Sequence, residues 1–185
     1  MNNIYLTIPG LYGSDGYHWQ TIWENQYPHF QRVQQHNWDV PVAGEWIAQL
    51  EETVARNAHR NIYLVAHSMG CHTVAQWAAQ TRQRVAGALL VAPPDVLRLE
   101  RNGLVSGFAR LHPRPLPFGS TVVASTNDPY ATPELSQMMA QQWGSRFVSI
   151  GQAGHINSAS HVGHWADGYE LLQQLQDERQ AQKIA

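Results

Sequence analysis

The sequence predicts an α/β fold: a three-layer α/β/α sandwich around a mostly parallel sheet of about six strands. Three observations carry this. Short apolar runs alternate with longer segments of helical period about six times along the chain, which is how crossover helices wrap a parallel sheet. The run Asn61–Ala66 (Asn-Ile-Tyr-Leu-Val-Ala) is apolar on both faces, as a central parallel strand must be. With 185 residues, 43% of them hydrophobic, the chain suits one domain and fills its core. A chain of this size buries roughly 70% of its unfolded surface.

Taken in order, Asn3–Ile8 reads as a strand ending at Pro9-Gly10, followed by the Gly-rich loop Gly10-Leu-Tyr-Gly-Ser-Asp-Gly16. His18 to Asn25 reads as a short helix with Trp19, Ile22 and Trp23 on one face. Gln31–His36 is a weaker strand. Pro41 to Ala58 is an amphipathic helix, with Trp46, Ile47, Leu50 and Val54 at helical spacing and Pro41 near its first turn. After the strand Asn61–Ala66, a helix runs from Ser68 to about Thr81, and Val85–Ala92 is a second buried strand. The stretch 93–119 is rich in Pro and Gly and weakly periodic, so it is expected to form a binding-site wall. Ser120–Ser125 is a strand, Pro133–Trp143 a helix and Arg146–Ile150 a strand. A last helix is expected from Ala159 or later to about Leu175. No repeat or linker divides the chain, so 1–185 reads as a single domain, with 177–185 as a polar tail expected to fray.

Composition removes several classes of function. The formal net charge is −2 with a pI of about 6.5, and the 12 Lys and Arg residues are scattered. Nucleic-acid binding needs a concentrated basic face, so none is expected. With one cysteine, Cys71, no intramolecular disulfide forms. No apolar run approaches the roughly 20 residues that cross a bilayer, and no basic segment followed by a long apolar stretch opens the chain. A soluble, cytoplasmic protein with no membrane partner is the expectation. Trp19, Trp23, Trp38 and Trp46 are expected to pack between sheet and helices. Nothing in the sequence sets an oligomeric state.

The chemistry centres on Ala66-His67-Ser68-Met69-Gly70, between a buried strand and a helix. A nucleophile elbow reads Gly-x-Ser-x-Gly, because its tight turn brings the residues two before and two after the serine into contact. Ala66 departs from that pattern by one methyl group. The turn lifts the Ser68 hydroxyl above the sheet and aims the Met69 N–H at a developing oxyanion. The rival reading is that Ser68 only caps a helix. A serine needs a base, and the order in α/β-hydrolases is Ser, then Asp or Glu, then His. Asp128 follows the strand Thr121–Ser125, and His155 follows the strand Phe147–Ile150. Both therefore fall at the carboxyl edge of the sheet, where sites of α/β proteins form.

Asp95, after an earlier strand, is the rival acid. His161 and His164 read as surface or capping histidines, and His67 as packing against a loop. The Leu11 N–H, in the loop after the first strand, is the candidate second oxyanion donor. That loop matches neither Gly-x-Gly-x-x-Gly nor the P-loop. The spacing of His155, His161, His164 and Asp167 matches no helical zinc motif, so no metal or cofactor is expected. Cys71 reads as a small buried side chain.

Ile8-Pro-Gly-Leu-Tyr-Gly-Ser14, His18-Trp19-Gln20, Trp23-Glu24, Ala66–Gly70, Ser125-Thr-Asn-Asp-Pro-Tyr130 and Gly154-His-Ile-Asn157 resemble the small serine hydrolases related to retinoblastoma-binding protein nine. The resemblance covers nearly the whole chain. It implies a compact α/β-hydrolase without a large lid and a Ser-Asp-His triad at Ser68, Asp128 and His155. Where many hydrolases carry His-Gly in the oxyanion loop, this chain has Pro9-Gly10. The expected function is cleavage of small or short-chain carboxylic esters through an acyl-enzyme. An amidase or peptidase with the same triad is one alternative, and a hydrolase-fold binding protein is another.

Overall fold

The apolar runs of the sequence form one sheet whose side chains point alternately at two helical layers. The computed structural model describes residues 2–109 and 114–184. Its elements are β1 (Asn3–Ile8), α1 (Trp19–Gln26), β2 (Phe30–Arg32), α2 (Ala43–Arg56), β3 (Asn61–His67), α3 (Met69–Ala78), β4 (Gly87–Val91), α4 (Val96–Arg101), β5 (Ser120–Ala124), α5 (Pro133–Trp143), β6 (Arg146–Ser149) and α6 (Ala166–Ile184), with a 3₁₀ turn at Ser158–Ser160. The six strands pair in parallel in the order β2-β1-β3-β4-β5-β6.

Because side chains alternate across a strand, Ile4, Leu6 and Ile8 of β1 and Ile62, Leu64 and Ala66 of β3 face one side. There they pack on Leu50 and Val54 of α2, Val74 and Trp77 of α3, and Trp143 of α5. Tyr5, Tyr63 and Val65 face the other side, against Trp19 and Trp23 of α1 and Leu172 and Leu175 of α6. Trp19, Trp23 and Trp46 are fully buried, and Trp38 is half-buried against the Trp46 cluster. The chain leaves β1 toward β2, then crosses back to place β3 on the opposite side of β1. That reversal opens a crevice past the carboxyl ends of β1 and β3, the usual ligand position in open α/β sheets.

Several boundaries differ from the sequence reading. β2 is Phe30–Arg32 rather than Gln31–His36, because after the Val33 N–H bonds the Thr7 carbonyl the chain leaves the sheet edge. The irregular wall contains an unforeseen helix, α4, whose N-cap Asp95 accepts a bond from the Arg98 N–H. Its Val96 and Leu99 pack with Trp46, Met69 and Phe108. Positions 110–113 of that wall lie outside the described residues. α6 starts at Ala166, since Gly163 and Trp165 hold positive φ just before it. It runs on through Ile184, past Leu175 and into the tail expected to fray. Asp177–Ile184 contains no Gly or Pro, and Glu178 pairs with Arg146 at 3.2 Å. Ala185 lies outside the described residues.

Candidate active site

β3 ends in a sharp turn at Ser68, whose backbone sits at φ 53 and ψ −124. Such a conformation costs a non-glycine residue about 1–3 kcal/mol and persists where its surroundings enforce it. Here the Ser68 N–H bonds the Val91 carbonyl at 2.9 Å, extending the β3–β4 ladder into the turn. Gly70 is the steric requirement of the elbow: a Cβ there would lie 2.0 Å from the Ile8 carbonyl oxygen. Ala66, fully buried, fits at the other small position. The Ser68 hydroxyl makes no capping bond to α3.

Instead, Ser68 Oγ lies 2.9 Å from His155 Nε2, and His155 Nδ1 lies 2.9 and 3.0 Å from the two carboxylate oxygens of Asp128. Both ring nitrogens are thereby assigned. Nδ1 donates to the carboxylate, which leaves Nε2 to accept the serine proton. The His155 and Asp128 side chains are 8% and 3% exposed, so little water competes for these bonds. Asp128 is held in turn by the Tyr130 N–H, which bonds Oδ1 at 2.8 Å, and the Tyr130 ring packs against the imidazole at 4.5 Å.

The rival residues go elsewhere. Asp95 caps α4. Cys71 is fully buried with its thiol toward the Val91 carbonyl, and burial pushes its pKa up, away from thiolate formation. His164 shares a bond with the Tyr27 hydroxyl, and His161 follows the 3₁₀ turn. Among the described residues, no three His, Cys, Asp or Glu side chains converge as metal ligands.

Near Ser68, the loop after β1 comes so close that a Cβ on Gly10 would lie 2.6 Å from Ser68 Cβ and 3.1 Å from Met69 N. The Tyr12 and Gly13 amides are spent on the Trp38 and Gly10 carbonyls. Among the described residues no bond engages the Leu11 N–H. Met69 opens α3, where first-turn amides lack intrahelical partners. Leu11, Gly13 and Ser68 line one cleft of about 430 Å³ together with His155, Leu99 and Leu104.

Sequence reasoning missed how the loop carrying His155 is fastened. Ser125 Oγ accepts from the Ala153 N–H, and Asn127 Oδ1 accepts from the Gly154 N–H at 2.7 Å. The Trp19 indole N–H donates to the Ile156 carbonyl at 2.8 Å. His67 Nε2 donates to the His155 carbonyl at 2.9 Å, so the loop His67 packs against is the one bearing the other histidine. Burial holds His67 neutral, with its pKa well below the usual histidine range. The run Ser125-Thr-Asn-Asp-Pro, dense in turn formers, was the available signal.

A parallel sheet of this order, with a strained Ser at the end of β3 and an Asp and a His past β5 and β6, defines an α/β-hydrolase. The family model for serine hydrolases matches residues 5–174, and the chain belongs to that family. Among solved structures, one described as a YdeN-like hydrolase from Pectobacterium atrosepticum is 30% identical over 96% of this chain and 92% of its own, with a TM-score of 0.87. The ydeN gene product of B. subtilis is 21% identical over 96% and 100%, with a TM-score of 0.76. The α/β-hydrolase enzyme MGS-MChE2, from a lagoon-sediment metagenome, shares the fold at 15% identity over 97% and 93%, with a TM-score of 0.71. No curated protein matches the chain. Among the described residues, no helix is long and apolar enough to cross a membrane.

Proposed function

We propose that this serine hydrolase cleaves small or short-chain carboxylic esters, with Ser68 as nucleophile, His155 as general base and Asp128 as the group that orients it. The observation that carries the reading is the hydrogen-bonded series Ser68 Oγ, His155 Nε2, His155 Nδ1, Asp128. Ser68 attacks the ester carbonyl as Nε2 takes its proton, and Asp128 stabilises the imidazolium. The Leu11 and Met69 N–H groups receive the oxyanion. His155 protonates the departing alcohol, then activates the water that releases the acid. No metal or cofactor takes part. The short acyl preference rests on the open cleft and the modest excursion between β4 and β5. We further assign the chain to the group around retinoblastoma-binding protein nine, acting in the cytoplasm on a small-molecule substrate.

Labelling by a fluorophosphonate probe tests the nucleophile. The expected result is labelling of the wild type and none of Ser68→Ala; equal labelling of both overturns the assignment. A nitrophenyl ester series is expected to give higher kcat/KM for short acyl chains, and the opposite order overturns the substrate class. Matched ester and anilide substrates separate an esterase from an amidase or peptidase using the same groups.

A further inference from the structure

The mouth of the candidate cleft carries a charge that the ester chemistry leaves unused. Asp15, in the loop after β1, lines the cleft beside His18 and across from Ser158. Its Oδ1 accepts the Ser158 hydroxyl at 2.7 Å and the Tyr17 N–H at 2.8 Å, which fixes the carboxylate in place. Among the described residues no bond engages Oδ2. The same hydrogen bond from Ser158 holds the Asp15 pKa below its ordinary value, so the group is ionised near neutral pH.

No positive charge offsets it among the described residues lining the cleft: none is Lys or Arg. Of the three histidines in the lining, His18 and His67 do not supply one, because burial drives His18 down to about 3 and His67 well below its usual value, and His155 is engaged with Asp128 and Ser68. Arg32, behind the loop, is committed to Glu24 at 2.9 Å and to the Ser14 carbonyl. Two exposed aromatic rings, Tyr12 and Tyr130, line the same cleft. Tyr12 is held there at φ 67, in the left-handed region that a tyrosine rarely adopts. A fixed carboxylate in a cleft also lined by tyrosine rings is the chemistry that recognises organic cations. The loop tie itself needs no charge, since an asparagine Oδ1 would accept the same two bonds.

We propose that Asp15, with Tyr12 and Tyr130, makes the cleft selective for substrates bearing an ammonium group and disfavours those bearing a carboxylate. This rests on the esterase reading for the chemistry, but the recognition is testable without turnover. Calorimetry on Ser68→Ala would compare γ-butyrobetaine methyl ester, its uncharged tert-butyl isostere and monomethyl glutarate. The expected order is cation tightest and anion weakest, with steps of about three- to fivefold, the upper range for an exposed ion pair. The steps shrink toward parity in 1 M salt, where the screening length is about 3 Å. Adding Asp15→Asn lowers the cation-to-neutral ratio to below about twofold, the remainder that the tyrosine rings supply. Equal affinities in the parent, or a ratio that survives Asp15→Asn, overturns the proposal. A purely structural role for Asp15 would shift all three affinities together and leave the ratio intact. If the affinity order holds while wild type fails to hydrolyse the neutral ester, the esterase reading falls and the cation site stands. If wild type turns the neutral ester over while the three affinities are equal, the cation site falls and the esterase reading stands.

Discussion

Gly10→Ala is the sharpest test of how the loop after β1 serves the serine. The new Cβ would sit 2.6 Å from Ser68 Cβ, 3.0 Å from Oγ and 3.1 Å from Met69 N. Carbon atoms in contact need about 3.5–4.0 Å, so loop and elbow must separate by about 1 Å. The elbow has little room to yield, being tied to Val91 and backed by Gly70 against the Ile8 carbonyl. The loop therefore moves, and the Leu11 N–H moves with it. A displacement of about 1 Å at a reacting centre costs on the order of a hundredfold in rate, or about 2.7 kcal/mol. The assay is kcat/KM on a short nitrophenyl ester, with thermal melting to show that the variant is folded. Gly16→Ala is the control: nothing lies within 4 Å of the added Cβ, and that residue does not line the cleft. It is expected to keep wild-type kcat/KM. A folded Gly10→Ala within threefold of wild type would refute the claim that this loop builds the oxyanion site.

Asp128→Asn keeps an acceptor for the Tyr130 N–H but loses the carboxylate that fixes the His155 tautomer. A drop in kcat of about a thousandfold to ten-thousandfold is expected, with the fold intact; a loss under tenfold would point to another acid. Acid stability follows from His18, His67 and His72, all buried and held neutral, with His18 at about 3 and His72 at about 4. Each is a base whose folded pKa lies below its ordinary 6.5. As pH falls through 6.5 the unfolded chain binds protons that the folded chain refuses. Stability is full above 6.5 and is lost between there and the folded values, at about 1.4 kcal/mol per pH unit for each histidine. Urea unfolding at pH 7 and pH 5 should show a markedly lower free energy at pH 5, and equal values would contradict the buried neutral state.

The central strands and the small-residue spacing of the elbow were legible because both follow from short-range rules. β3 and β4 are apolar on both faces only because they are central, and the elbow announces itself through small residues at fixed spacing. The element that escaped, α4, and the bounds that differ depend on tertiary partners. α4 has six residues, too few for a period to declare itself, and stands because Val96 and Leu99 find Trp46 and Phe108. The edge strand β2 is fixed by pairing with Tyr5, Leu6 and Thr7, which no local pattern encodes. The start of α6 is set by positive-φ residues at Gly163 and Trp165, and a tryptophan in that conformation is unreadable from sequence.

The same contrast explains the His18-Trp19-Gln20 run, whose residue types carried a resemblance but no reason. His155 sits in a loop without regular structure, yet its Nε2 must stay within hydrogen-bond reach of Ser68. The Trp19 indole N–H bonds the Ile156 carbonyl, one residue past His155, and Ile156 is itself held at φ 48. Gln20 Nε2 donates to the Val65 carbonyl of β3, while its Oε1 accepts the Ser14 hydroxyl, so α1 is pinned both to the strand bearing Ser68 and to the cleft loop. His18 Nδ1 accepts the Gln20 N–H and caps α1, and its ring meets the edge of His67, which holds the His155 carbonyl. Three consecutive side chains thus connect the strand that ends at Ser68, the loop of His155 and the wall of the cleft. Each uses a buried polar group that would cost about 1–3 kcal/mol if left unpaired. The rigidity that the loop lacks in its own backbone is supplied from α1, and this is a physical reason for those three residue types to stand together.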